Sequence, residues 1–256
     1  MKLPDQVFRI STEDAYNRYL KKSKTDKKEP EKPATNMTTR FSLEDLTDFW
    51  RINGVNYRNQ IGQVDLGKAV LPSKTQDKHA SFSQDAISKG QLYVGNTQLY
   101  HSLFTILFQN KDNPQFKDKI EETRQFLQES MKNYWLMTLS RIKYTKSGKD
   151  LVIHNYGLQD KFEIQENIVG PDGYITQINP QNELKSILGS NDVNEINQVY
   201  NWITKKDLYL WRLNNKPKEN DERVVGLGSD SDMAILYCDW DPDDSSRALA
   251  VRAQKF

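Results

Sequence analysis

The sequence predicts an α+β fold, on three observations. Apolar residues recur at helical spacing between residues 42 and 133, the pattern shortens to strand-like alternation after residue 133, and no fixed-period repeat runs through the chain. Helices are therefore expected in the first half and short antiparallel strands in the C-terminal half.

The elements follow in order. "FRISTEDAYNRYL" reads as a short helix with Phe8, Ile10, Tyr16 and Tyr19 as contacts, and "KKSKTDKKEPEKPATN" reads as a flexible, charged linker. Residues 1–38 are thus an N-terminal segment able to dock on a neighbouring subunit, and residues 39–256 a single domain. "SLEDLTDFW" predicts a helix capped by Ser42, with Asp45 three residues on and Leu43, Leu46, Phe49 and Trp50 at helical spacing. "SFSQDAISKG" predicts another, with Ser83 as cap and Gly90 as stop. "TQLYHSLFTILFQN" places Leu99, Leu103 and Leu107 on one face. Pro114 opens a fourth, striped by Phe116, Ile120, Thr123 and Leu127. These apolar stripes read as core.

"YWLMTLSRIKY" and "DLVIHNY" flank the turn-like "KSGK", the signature of a β-hairpin. "NIVGPDGYIT" carries a Pro-Asp-Gly turn. "NDVNEINQVYNWI" predicts one more helix, with Val193, Ile196, Val199, Tyr200 and Ile203 inward. "LYLWRL", "RVVGL", "AILYC" and "ALAVR" complete the set as short strands.

With 256 residues the chain can bury one sizeable core, but only 36% of it is hydrophobic and its mean hydropathy is -0.80, so an extensive polar surface follows. A net charge of +1 from 36 basic and 35 acidic residues argues against nucleic acid as a partner and against coating an anionic membrane. No run approaches the roughly 20 apolar residues of a membrane helix. The start, "MKLPDQVFRI", lacks the apolar stretch of a secretion signal, which favours a virion or intracellular location, with the cell surface left open. The single cysteine, Cys238, excludes an intramolecular disulfide and a Cys-based metal site.

Catalytic patterns are weak. His79, His101 and His154 stand far apart, in no metal-binding spacing, and read as surface or satisfied polar residues. "GLGSDSD" lacks the third glycine and the following helix of a dinucleotide turn. Asp239, Asp241, Asp243 and Asp244 offer hard oxygen ligands in alternation. Counted as a calcium loop, however, they place Asp244 where glycine is needed and Ala250 where a bidentate glutamate is needed, so the cluster reads as a solvated polar loop and no metal or other cofactor is expected.

Strand alternation in "AILYC" puts Ala234, Leu236 and Cys238 on one face and Met233, Ile235, Tyr237 and Asp239 on the other. Leu249 and Val251 anchor the following loop from behind. Composition alone leaves Tyr237 and Trp240 equally readable as core or as contact residues.

The segment "RVVGLGSDSDMAILYCDWDPDDSSRALAVRA", residues 223–253, resembles the C-terminal variable region of the target proteins of diversity-generating retroelements, and most closely those of archaea and their viruses. The matching frame is Arg223, Val224, Ser229, Ala234, Leu236, Cys238, Pro242 and Ser245, with the closing Ala248, Leu249, Val251 and Arg252. Ala250 departs from the glycine common there. The resemblance implies a C-type-lectin fold and a non-enzymatic binder, with a protein as the expected ligand. Errors at template adenines would vary Gly228, Ile235, Tyr237, Asp239, Asp241, Asp243, Asp244, Ser246 and Arg247, all types reachable from an asparagine codon, whereas Met233 and Trp240 would need other adenine-containing codons. Formylglycine-generating oxidases share that fold, but their paired active-site cysteines have one counterpart at most here. Calcium-dependent lectins would show a Glu-Pro-Asn-type motif where this chain has "NKPK".

Overall fold

The computed structural model describes residues 41–254 and 256. The expected N-terminal helix and linker lie outside the described residues. The α+β class holds, but the order of elements differs from the expectation, because strands open the described chain.

Residues expected to form the first helix pair as strands instead. β1 (Ser42–Asp45) runs antiparallel to β2 (Phe49–Tyr57), with Leu43 opposite Ile52, and the Leu46 amide donates to the Phe49 carbonyl at 3.0 Å to close the turn. The seven-residue spacing of Leu43 and Trp50 suits a helix. The aromatic and branched run Phe49, Trp50 and Ile52 suits a pleated surface better, once β3 (Gln60–Gly67) is present to pair with it. Arg58 and Asn59, both left-handed at φ 53 and 62, make the two-residue turn between β2 and β3.

After β4 (Leu71–Lys74), helix α1 spans Gln76–Ser88. It begins earlier than expected, with Thr75 rather than Ser83 at the cap. Ser83 is buried and its hydroxyl accepts from the Val94 amide in β5 (Tyr93–Val94), while Gly90, at φ 65, stops the helix as expected. α2 (Thr97–Gln109) is capped by the Asn96 side chain accepting from the Leu99 amide, and it buries Leu99, Leu103 and Leu107. α3 (Lys117–Asn133) buries Ile120, Thr123 and Leu127. The expected hairpin is present as β6 (Leu136–Tyr144) and β7 (Asp150–His154).

β8 (Phe162–Glu166) and β9 (Gly173–Tyr174) precede α4 (Gln181–Leu188) and α5 (Val193–Thr204). β10 (Leu208–Trp211), β11 (Asp221–Ser229), β12 (Ala234–Trp240), β13 (Ser246–Ala248) and β14 (Ala250–Gln254) follow.

One sheet has the order β1-β2-β3-β14-β5; the other runs β4-β13-β6-β11-β12-β10-β9, with β7 and β8 added beside β6. The pairs β10–β12 and β13–β6 are parallel, so the strands are mixed rather than wholly antiparallel as expected. Nor does "ALAVR" form one strand. Leu249 separates β13 in the larger sheet from β14 in the smaller, and the Tyr100 hydroxyl fixes that crossing by donating to the Leu249 carbonyl at 2.7 Å while accepting from the Gly95 amide at 2.8 Å. The main core joins both sheets to α2–α5 through side chains such as Trp50, Leu66, Phe104, Leu127, Leu236 and Val251. No helix among the described residues is long and apolar enough to cross a membrane.

Candidate functional site: an aromatic sheet face beside an acidic loop

β12 lies between β11 and β10, so its alternation has different consequences on its two faces. Ala234, Leu236 and Cys238 are fully buried in the core. On the other face Tyr237 and Asp239 are half-buried, as is Met233 just before the strand.

In register with Tyr237 stands Trp211 of β10, and with Ile235 stands Tyr209, itself opposite Tyr174 of β9. Centroid distances of 5.3 Å for Tyr174–Tyr209, 6.1 Å for Tyr209–Trp211 and 6.3 Å for Trp211–Tyr237 make a continuous row of rings. Trp135, just before β6, and Trp240 extend it, at 5.4 Å and 6.0 Å from Tyr237 and 6.0 Å from each other. Six rings thus share one face. Trp135 is 55% exposed and Trp211 42%, although each carries an apolar surface large enough to be buried.

Two glycines of β11 make room for these rings. A Cβ on Gly226 would lie 2.6 Å from the Trp240 indole, and one on Gly228 would lie 3.3 Å from both Trp135 and Tyr237. Gly226→Val is therefore expected to lift the Trp240 indole from its seat and lower stability by about 1–3 kcal/mol. The indole N–H resonance of Trp240 and a urea titration would check it; an unmoved resonance with an unchanged midpoint would refute the packing described.

The loop after β12 is braced by its own acids. Asp244 accepts from the Trp240 indole N–H at 3.1 Å, Asp241 accepts from the Asp243 amide at 2.9 Å, and Arg223 approaches Asp241 at 4.0 Å while pairing with Asp221 at 2.8 Å. Asp241, Asp243 and Asp244 remain exposed. His79 of α1 donates to the Ser246 carbonyl at 2.8 Å, and the Ser246 hydroxyl donates to the Trp135 carbonyl. Arg247 stacks its guanidinium over Tyr134, 4.5 Å from the ring centroid. A notch of about 490 Å³ between Trp135, Trp240, Asp244 and Arg247 joins the loop to the aromatic row.

The electrostatics favour neutral groups at the centre. Burial, reinforced by Asp230 and Asp239, pushes the Tyr237 phenol up to about 12. Burial and the neighbouring Asp172 carboxylate raise Asp239 above its ordinary value, against the pull of Arg223 and the Trp211 indole. Burial also drives the Cys238 thiol well above its usual range, so it has little thiolate character.

The expected contact residues divide accordingly. The structure brings Met233, Tyr237, Asp239, Trp240, Asp241, Asp243, Asp244, Ser246 and Arg247 to this face or its bordering loop. Gly228 and Ile235 are corrections. Gly228 is buried beneath Trp135 and Tyr237, and Ile235, 3% exposed, is enclosed in the middle of the sheet between Gly228 and its β10 partner Tyr209. Neither offers a side chain to a ligand. The three histidines are all buried, so of the two expectations, surface or satisfied polar, the surface one fails; His154 is satisfied at both ring nitrogens, whereas Nδ1 of His79 and of His101 has no partner among the described residues. Sequence reasoning also missed Tyr174, Tyr209, Trp211 and Trp135. The signal for two of them was present, since Leu208 and Leu210 alternate with Tyr209 and Trp211 in "LYLWRL".

No protein-family model, curated protein or solved structure matches this chain.

Proposed function

We propose that this protein is a non-enzymatic binder of C-type-lectin-like fold whose aromatic face and acidic loop are varied by a diversity-generating retroelement to take different protein ligands. The observation that carries the reading is the six-ring face, open at Trp135 and Trp211 and bordered by exposed carboxylates on a braced loop. Rigid aromatics contribute contact area at low entropic cost, and bordering charges set orientation and partner choice. The buried, poorly ionised Cys238 supports a binder over a thiol-dependent oxidase.

A second reading, a fixed-ligand interaction protein, is favoured by one observation. Tyr174, Tyr209, Trp211 and Trp135 lie outside residues 223–253, so four of the six rings stand outside the segment that most strongly resembles a variable region, Tyr209 and Trp211 falling in the preceding "YLWRLNNKPKENDE", where the resemblance is weaker.

Sequencing the flanking DNA and many clonal copies of the gene separates the two. The expected result is substitution at the codons of Tyr237, Asp239, Asp241, Asp243, Asp244, Ser246 and Arg247, with Ala234, Leu236, Leu249 and Val251 constant and a template repeat nearby. An invariant segment without a repeat leaves the fixed-ligand reading.

A further inference from the structure

A cleft of about 670 Å³ shares no residue with the aromatic face or with residues 223–253. It lies between the β2–β3 turn, α2, β8 and α4, and its volume is that of a small-molecule site. Because α2 commits Leu99, Leu103 and Leu107 to the core, its other side gives this cleft a wall of Gln98, His101, Ser102 and Thr105.

His101 is 3% exposed, and its Nδ1 has no hydrogen-bond partner. Its Nε2 has only a 3.5 Å contact with the Thr105 hydroxyl. Burial holds the ring neutral, so Nε2 and Thr105 form an under-used polar pair on the cleft wall.

The charged groups divide by what they already touch. Glu166 pairs with Lys149 at 3.7 Å, and Glu195 accepts from Gln109 at 2.9 Å. The two cations on the lining, Arg58 and Lys185, have no carboxylate within 4.0 Å among the described residues; Arg58 instead lies 4.1 Å over the Phe162 ring. Two cations without an acid partner suit an anionic group. Amides, hydroxyls and carboxylates with remaining acceptor capacity suit hydroxyls.

We propose that this cleft binds an anionic, hydroxyl-rich small molecule of the sugar-phosphate or sugar-acid class, with Arg58 and Lys185 taking the anionic group and the polar side of α2 taking the hydroxyls. The site is independent of the aromatic face. If residues 223–253 vary between copies, this ligand stays the same in all of them.

The test follows the imidazole resonances of His101 in the full chain during titration with glucose 6-phosphate, glucuronate, glucose and inorganic phosphate. Glucose 6-phosphate, glucuronate or both should move them saturably, with glucose and phosphate alone at least about tenfold weaker. The Arg58→Gln/Lys185→Gln variant, altered only at exposed side chains, should lose at least about tenfold in affinity, whereas Tyr237→Ala should leave the titration unchanged. A response to only one of the two anionic sugars identifies the source of the charge. Silence from all four probes, an equal response in the double variant, or phosphate matching the sugar phosphate would overturn the proposal. None of these outcomes depends on whether the aromatic face binds a protein.

Discussion

Acidification from about pH 7 to about pH 4 is expected to remove roughly 6 kcal/mol of stability, nearly all of it through two buried imidazoles. His101 and His154 are both pulled down from 6.5 to about 4, chiefly by burial. His154 is fully enclosed, with Nε2 against the Ser186 carbonyl at 2.8 Å and Nδ1 against the Ser140 hydroxyl at 2.9 Å, so the neutral ring is already satisfied and a second proton would place a charge in the interior. A histidine with a depressed folded-state value takes up a proton on unfolding. Its contribution is complete above 6.5 and disappears as the pH falls toward 4, at roughly 3 kcal/mol for each ring. His79, also lowered by burial, acts in the same direction, while the raised carboxyl of Asp239 acts against them. Against a typical total of about 5–15 kcal/mol, the loss brings the domain near its unfolding midpoint. Urea midpoints across this range, together with the ring resonances of the two histidines, measure it directly. A flat midpoint, or rings that titrate near 6.5, would sink the prediction.

Replacing Arg212 by methionine is expected to cost about 3–5 kcal/mol, because it removes one partner of a buried ion pair. Arg212 follows β10 directly and is almost fully buried, with its guanidinium on Glu183 of α4 at 2.9 Å and on the carbonyls of Ile168 and Pro171 at 3.1 and 3.3 Å. A Cβ on Gly170 would lie 2.5 Å from that guanidinium, so only glycine leaves it room. Deletion leaves a half-enclosed carboxylate and two carbonyls unmet at the edge of the sheet that carries Tyr174 and Tyr209. Lysine should recover little, since a point charge cannot reach three acceptors set around a planar fork. Urea unfolding of Arg212→Met, Arg212→Lys and Glu183→Gln checks this. A loss under about 1 kcal/mol in the first variant would show that water replaces the guanidinium there.

What could be read from the chain beforehand depended on whether the determining contact was local. α2, α3 and α5 follow from apolar stripes that a helix buries on one side, and the β6–β7 hairpin follows from a short turn between neighbouring strands. The stretch from Ser42 to Trp50 was misread because its spacing fits both periods, and the deciding partner, β3, lies beyond it. The candidate site divides in the same way. Alternation within β12 places Tyr237 and Asp239, but only the parallel pairing with β10 brings Trp211 beside Tyr237, and that register follows from no local pattern. Ile235 was misplaced for the complementary reason: alternation assigns a face but cannot tell that neighbouring strands close over it.

The route of β14 has a kinetic consequence. This strand lies inside the smaller sheet between β3 and β5, and the Asp65 carboxylate that receives Arg252 is 187 positions away in sequence. The entropic cost of closing a loop grows only slowly with its length, and β1, β2 and β3 can pair locally, but β5 joins that sheet only through β14, so completing the sheet depends on distant contacts and gives the domain the high contact order of a slow folder. Until β14 arrives, β3 exposes an unpaired edge carrying Val64 and Leu66, a template for pairing with a second chain. Crowded expression would therefore select against changes that delay β14, and any segment diversified just upstream of it is free to vary only in so far as it delivers that strand on time.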